Sequence, residues 1–90
     1  MNSTSIRIVI AQRGFVFVGR YAREDLEIVL RDAYTIQRWG TTEGLGQITS
    51  GPTSNTKLHK SGTVRLHPLQ IIATLDCDPK GWAKHIPDER

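Results

Sequence analysis

Isoleucine recurs at every second position near the start of the chain, at Ile6, Ile8 and Ile10. A period of two places these side chains on one face of a β-strand; a helix would space its apolar residues three and four apart. The alternation stops at Gln12-Arg13-Gly14, where Gly14 can turn left-handed at no steric cost. It resumes in Phe15 to Tyr21, with Phe15, Phe17, Gly19 and Tyr21 on one face and Val16, Val18 and Arg20 on the other. Apolar residues on both faces suit a strongly bent strand, with Gly19 as its bend or bulge.

Polar Ala22 to Asp25 reads as a turn, and Leu26, Ile28 and Leu30 mark a third strand. Arg31-Asp32 reads as a tight connection to a fourth strand, Ala33 to Trp39, rich in β-formers. Connections this short require antiparallel neighbours, because parallel strands need a crossover of about a dozen residues or more. The glycine-rich stretch from Gly40 to Gly62 predicts one short helix, with Thr42 as N-cap, Glu43 in the first turn, Leu45 and Ile48 on one side, and Gly51-Pro52 as the stop. Thr63 to Leu66 forms a fifth strand, ended by Pro68, and Gln70 to Cys77 a sixth, with Ile71, Ala73, Leu75 and Cys77 sharing a face. Asp78-Pro79 then starts a turn through Lys84 that folds Trp82 back on the sheet.

These elements predict a mainly β chain: one domain over residues 1–90, a small antiparallel β-barrel of the SH3/Sm-like kind with five or six strands and one short helix in 40–62. Ile8, Phe17, Ile28, Leu30, Ile36, Ile71, Ala73 and Leu75 are expected to form one contiguous core. Ninety residues and a single cysteine, Cys77, leave no room for a disulfide framework or a multi-cysteine zinc site. No apolar run is long enough for a membrane span, and Met1 to Ser5 has no basic region leading into an apolar block. The expected compartment is a reducing cytoplasm, with no membrane partner.

Two resemblances narrow the fold. Arg13 to Tyr21, followed by an acidic turn and Ile28-Val29-Leu30-Arg31-Asp32-Ala33, resembles the first signature of Sm-like barrels; Val64-Arg65-Leu66-His67 and Ile71-Ile72 stand where the second would be. The Met-Asn pair that lines the RNA pocket in that family is absent, so the resemblance implies the shape and not the function. Over Arg13 to Cys77 the chain is similar to a family of small phage and prophage proteins of unknown function. The likeness runs through Gly14 to Gly19, Val29 to Gly40, Gly44-Leu45-Gly46-Gln47-Ile48 and Ile71 to Cys77. It implies phage origin, hence a host-cell cytoplasm, and assigns no catalytic residue.

The chemistry-bearing residues give no catalytic set. Cys77 ends an inward strand face, where a free thiol is ordinarily inert. Asp76 and Asp78 offer only a conceivable acid–base pair, and His59, His67 and His85 lie in three separate elements without cysteine partners. Gly44-Leu45-Gly46 lacks the Gly-Lys-Ser/Thr ending of a phosphate loop. The chain is therefore expected to be no enzyme and to need no metal or cofactor. Charge is more informative. The formal net charge is +3, and between Arg38 and His67 the bases Arg38, Lys57, Lys60 and Arg65 face one acid, Glu43. That stretch is either a solvated loop or a patch for an anionic partner. Trp39 and Trp82 are either core plugs or, in the case of Trp39 beside Arg38, a stacking surface of the kind that suits nucleotides and single strands.

The expectation drawn from this is a non-enzymatic binding module for an anionic ligand, a nucleotide or a nucleic acid, acting in host takeover or counter-defence. Its ligand-binding residues are Arg38, Trp39, Lys57, Lys60 and Arg65. The alternative is a protein–protein or virion component, docking on a host protein or assembling as a homo-oligomer through strand edges.

Overall fold

The computed structural model describes residues 5–41 and 44–87. Five strands form one antiparallel sheet: β1 (Ser5–Ala11), β2 (Val16–Glu24), β3 (Glu27–Arg38), β4 (Lys57–Leu66) and β5 (Ile71–Asp76). Their spatial order is β4-β3-β2-β1-β5, so the first four make a meander and the last returns beside the first. Among the described residues β4 pairs only with β3 and β5 only with β1, which leaves two free edges and an unclosed sheet.

The β1–β2 connection falls where the alternation breaks. Gln12–Gly14 is a 3-10 turn in which Arg13 (φ 68°) and Gly14 (φ 79°) are both left-handed, closed by the Ala11 N–H donating to the Phe15 carbonyl at 2.8 Å. The next turn is tighter than the sequence suggests. β2 continues through Glu24, which is paired with Glu27, leaving only Asp25 and Leu26 between the strands.

Arg31-Asp32 is not a connection: the third and fourth strands expected from the sequence are one, so of the five or six strands expected the sheet has five. β3 runs unbroken through both residues for 12 residues. Asp32 takes a left-handed φ of 52°, and the β3–β4 register shifts between Leu30 and Ala33, opposite Gly62. A polar residue that tolerates left-handed backbone serves a bulge as well as a turn. The Asp32 carboxylate is ion-paired with Arg20, a nearly buried guanidinium that also donates to the Pro87 carbonyl. β4 likewise begins at Lys57, well before Thr63, because an exposed edge strand needs no apolar alternation.

The core is two clusters, not one. On one side Ile6, Ile8, Val16, Val18 and Ile36 pack with Leu45, Ile48, Trp82 and Ile86. On the other, Val9, Leu30 and Ala33 pack with half-buried Phe17, Tyr21, Val64, Leu66 and Ile71. Residues expected to be contiguous are thus divided: Ile8, Ile36 and Leu75 belong to the first group, and Phe17, Leu30 and Ile71 to the second. Ala73 is exposed. A register shift opposite Ile10 and Ala11 leaves Ile72 unpaired in a bulge, and this breaks the simple alternation of β5.

The first side is covered by two pieces of chain. The expected helix is a 3-10 helix, Leu45–Ser50, that buries Leu45 and Ile48. The proposed cap at Thr42 and Glu43 lies outside the described residues. The turn after β5 lays Trp82 into the cluster as expected, fully buried, with its indole N–H donating to the Ile48 carbonyl at 3.0 Å. Gly81 packs so closely on Ser50 that a Cβ there would overlap the Ser50 carbonyl. Cys77 is half-buried against this cluster, and burial pushes its thiol pKa up to about 11, which keeps it protonated and unreactive near neutral pH. No described helix is long and apolar enough to cross a membrane.

Candidate anion-binding site

Charge separates into a neutralised group and an unpaired group. Arg7 pairs with Asp76 at 3.4 Å, Arg31 with Glu24 at 2.6 Å, Arg20 with Asp32, and Arg65 with Glu27 at 3.2 Å and Glu24 at 3.7 Å. The two basic neighbours hold the Glu24 carboxyl below its ordinary pKa, chiefly through the Arg31 hydrogen bond. Arg13, Arg23, Arg38, Lys57, Lys60, Lys80 and Lys84 make no ion pair with a described residue.

Two of these unpaired cations, Lys80 and Lys84, line a cleft of about 370 Å³ with Thr53, Ser54 and His85. Pro52 and Gly81 complete its walls, and among the described residues no carboxylate lines it. Both sides are fixed by backbone contacts. The Thr53 hydroxyl donates to the Gly40 carbonyl at 2.7 Å, and the Thr56 hydroxyl donates to the Trp39 carbonyl at 2.6 Å. Across the cleft the Asp78 carboxylate accepts from the Lys80 N–H at 3.0 Å, so it caps the turn and is not spent on a lysine ammonium. Trp82 anchors the same turn from below.

His85 sits between the cations and the core. Its ring meets Tyr34 edge-on at 5.6 Å and Trp82 at 6.0 Å, and its carbonyl accepts from the Tyr34 hydroxyl at 3.2 Å. Its buried Nδ1 has no hydrogen-bond partner among the described residues. Lysine ammonium groups, hydroxyls and an imidazole around one cleft are donors suited to a phosphate or carboxylate.

The residues singled out from the sequence divide between this end and the far end of β4. Arg38, at the end of β3, is the register partner of Lys57, at the start of β4, and both are exposed. Like charges opposed across a ladder destabilise it, and among the described residues no acid is ion-paired with either. Trp39 follows and is 41% exposed; its carbonyl and that of Gly40 are held by the Thr53–Thr56 turn whose first residue lines the cleft. Lys60 is the register partner of Tyr34, whose ring touches His85. Arg65 stands apart, held by Glu24 and Glu27.

Lys80, Lys84 and His85 are not among the ligand-binding residues expected from the sequence, where His85 stands only as a candidate metal ligand. Counted along the chain, the lysines look balanced by Asp76, Asp78, Asp88 and Glu89. In space Asp76 goes to Arg7 and Asp78 to a backbone cap; Asp88 and Glu89 lie outside the described residues. The available signal was the Lys80-x-x-x-Lys84 spacing within one turn. No family model, curated protein or solved structure matches the chain.

Proposed function

We propose that the chain is a non-enzymatic binding module for an anionic ligand, a nucleotide or nucleic acid, held at the end of the molecule carrying Lys80, Lys84, Thr53 and Ser54. Arg38, Trp39, Lys57 and Lys60 extend the same basic end. One observation carries this reading: a cleft with two lysines and two hydroxyl side chains where, among the described residues, no carboxylate lines the walls and no acid pairs with either lysine, whereas Arg7, Arg20, Arg31 and Arg65 are each held by an acid. The unclosed sheet, with a 3-10 turn linking its two edge strands, is read as a half-open SH3/Sm-like barrel. The similarity to phage and prophage proteins supports a role in host takeover or counter-defence in the host cytoplasm.

The test is binding of short single-stranded DNA, RNA and cyclic nucleotides at about 50 mM salt, where screening is weak. Affinity for the oligonucleotides falls as salt rises, and Lys80→Glu with Lys84→Glu abolishes binding without moving the melting temperature, since exposed lysines add little stability. Absence of binding to every probe rejects the reading. A second reading, a protein-binding or virion component that docks on a host protein or self-associates, is favoured by the free edges of β4 and β5. Size-exclusion chromatography with light scattering separates a monomer from such an assembly.

A further inference from the structure

A groove of about 230 Å³ opens between the β1–β2 turn and the junction of β4 with β5. Its base is Ala11 and Leu66, its wall Phe15 and Phe17, and its rim Gln12, Arg13 and Gln70. The two phenyl rings lie nearly parallel, 6° between planes and 6.2 Å between centroids, and Phe15 keeps 55% of its surface in water. This is an exposed flat aromatic face beside a cavity below the 300–1,000 Å³ of ordinary ligand pockets, which suits one ring system and not an extended chain.

The rim decides the kind of ring. Arg13 has no ion pair with a described residue and can only donate. The Gln70 side-chain oxygen accepts from the His67 N–H at 3.4 Å, which leaves its NH₂ group as a donor. Among the described residues no carboxylate lines the groove. An aliphatic or phenyl group would leave these donors unused, and an indole brings a donor of its own and no acceptor. A purine base presents acceptors along one edge and a π-face for stacking.

We propose that this groove binds a purine nucleoside monophosphate. The base stacks on Phe15, its acceptor edge meets Gln12 and Gln70, and the phosphate pairs with Arg13. The site shares no residue with the Lys80–Lys84 cleft and does not depend on it.

The experiment titrates the full chain with guanosine 5′-monophosphate by calorimetry and by amide NMR. Guanosine, inorganic phosphate and N-acetyltryptophanamide serve as separate arms. The nucleotide is expected to shift amides from Gln12 to Phe17 and around Gln70, and Phe15→Ala to weaken it about tenfold, the scale of one lost base stack. Guanosine binds more weakly and without salt dependence, Arg13→Ala lowers the nucleotide to the guanosine level, and Lys80→Glu with Lys84→Glu leaves binding unchanged. Phe15 and Arg13 are exposed, so an unchanged circular-dichroism melt shows that the variants fold. The proposal is overturned by no binding at millimolar nucleotide, by shifts confined to residues 80–85, by an inert Phe15→Ala, or by N-acetyltryptophanamide binding as well as the nucleotide.

Discussion

On one side of the sheet Ile8, Val18, Ile48 and Trp82 are completely buried; on the other, Phe17, Tyr21, Leu66 and Ile71 keep part of their surface in water. The strands supply both sides with comparable apolar side chains. The difference is cover. The 3-10 helix Leu45–Ser50 and the turn carrying Trp82 lie over the first side, and no residue of either segment joins the second cluster. The covered side therefore supplies most of the packing, while the open side retains accessible aromatic surface around the Phe15–Phe17 groove. The exposed aromatic groove and most of the packing thus lie on different sides of one sheet, while the Lys80–Lys84 cleft lies on the covering turn itself.

If cover is what distinguishes the sides, removing its anchor has the largest effect. Trp82→Ala deletes a buried indole and its hydrogen bond to Ile48, and is expected to cost about 3–5 kcal/mol. That is a large part of the stability of a domain this small, which lies toward the low end of about 5–15 kcal/mol. Chemical denaturation measures it, and a loss under 1 kcal/mol would show that the turn is not a structural lid. Gly81→Ala comes next. Its methyl group would meet the Ser50 carbonyl, part of the backbone, so the turn must lift at about 1–3 kcal/mol, the usual cost of overpacking. Tryptophan fluorescence should shift to the red as Trp82 gains water, and an unshifted spectrum with an unchanged melt would contradict the close packing.

The open side gives the matching smaller effect. Leu66 is already partly solvated, so Leu66→Ala forfeits only part of the roughly 1.5–3 kcal/mol that full burial of a leucine provides, about 1 kcal/mol. Trp82 emission should not change. A loss as large as that of Trp82→Ala would mean that the two sides are equally closed and that the comparison fails.

Much of the strand pattern was readable, and the failures have definite causes. The isoleucine alternation and Gly14 located β1 and its turn because a half-buried strand must alternate. Asp32 misled because the left-handed conformation that makes aspartate a turn former also makes it a bulge former; the distinction lies in the strand opposite, where the register shifts between the Leu30–Val64 and Ala33–Gly62 pairs. Alternation along β5 could not reveal that Ile71 and Leu75 pack in different clusters, since one bulged residue reverses the faces. The basic cleft was hidden for a similar reason. Whether an acid neutralises Lys80 or Lys84 depends on where Asp76 and Asp78 point, and chain proximity does not set that.

The smallest expected effect concerns ionic links between strands that no segment covers. Glu24 in β2 pairs with Arg31 in β3 and Arg65 in β4, and Arg65 also pairs with Glu27. Because the folded protein lowers the Glu24 pKa, its charged form is favoured by folding. The resulting stability is present above the unfolded pKa, about 4.3 for a glutamate, and is lost as pH falls through the lower folded value. Glu24→Gln should therefore melt slightly below the wild type at pH 7, with the gap closing below about pH 4 and shrinking in high salt. Paired melts from pH 3 to pH 7 measure this. A gap constant across that range would assign the loss to packing and not to charge. A gap as large as that of Trp82→Ala would mean that ion pairs hold the open side as firmly as the lid holds the covered one.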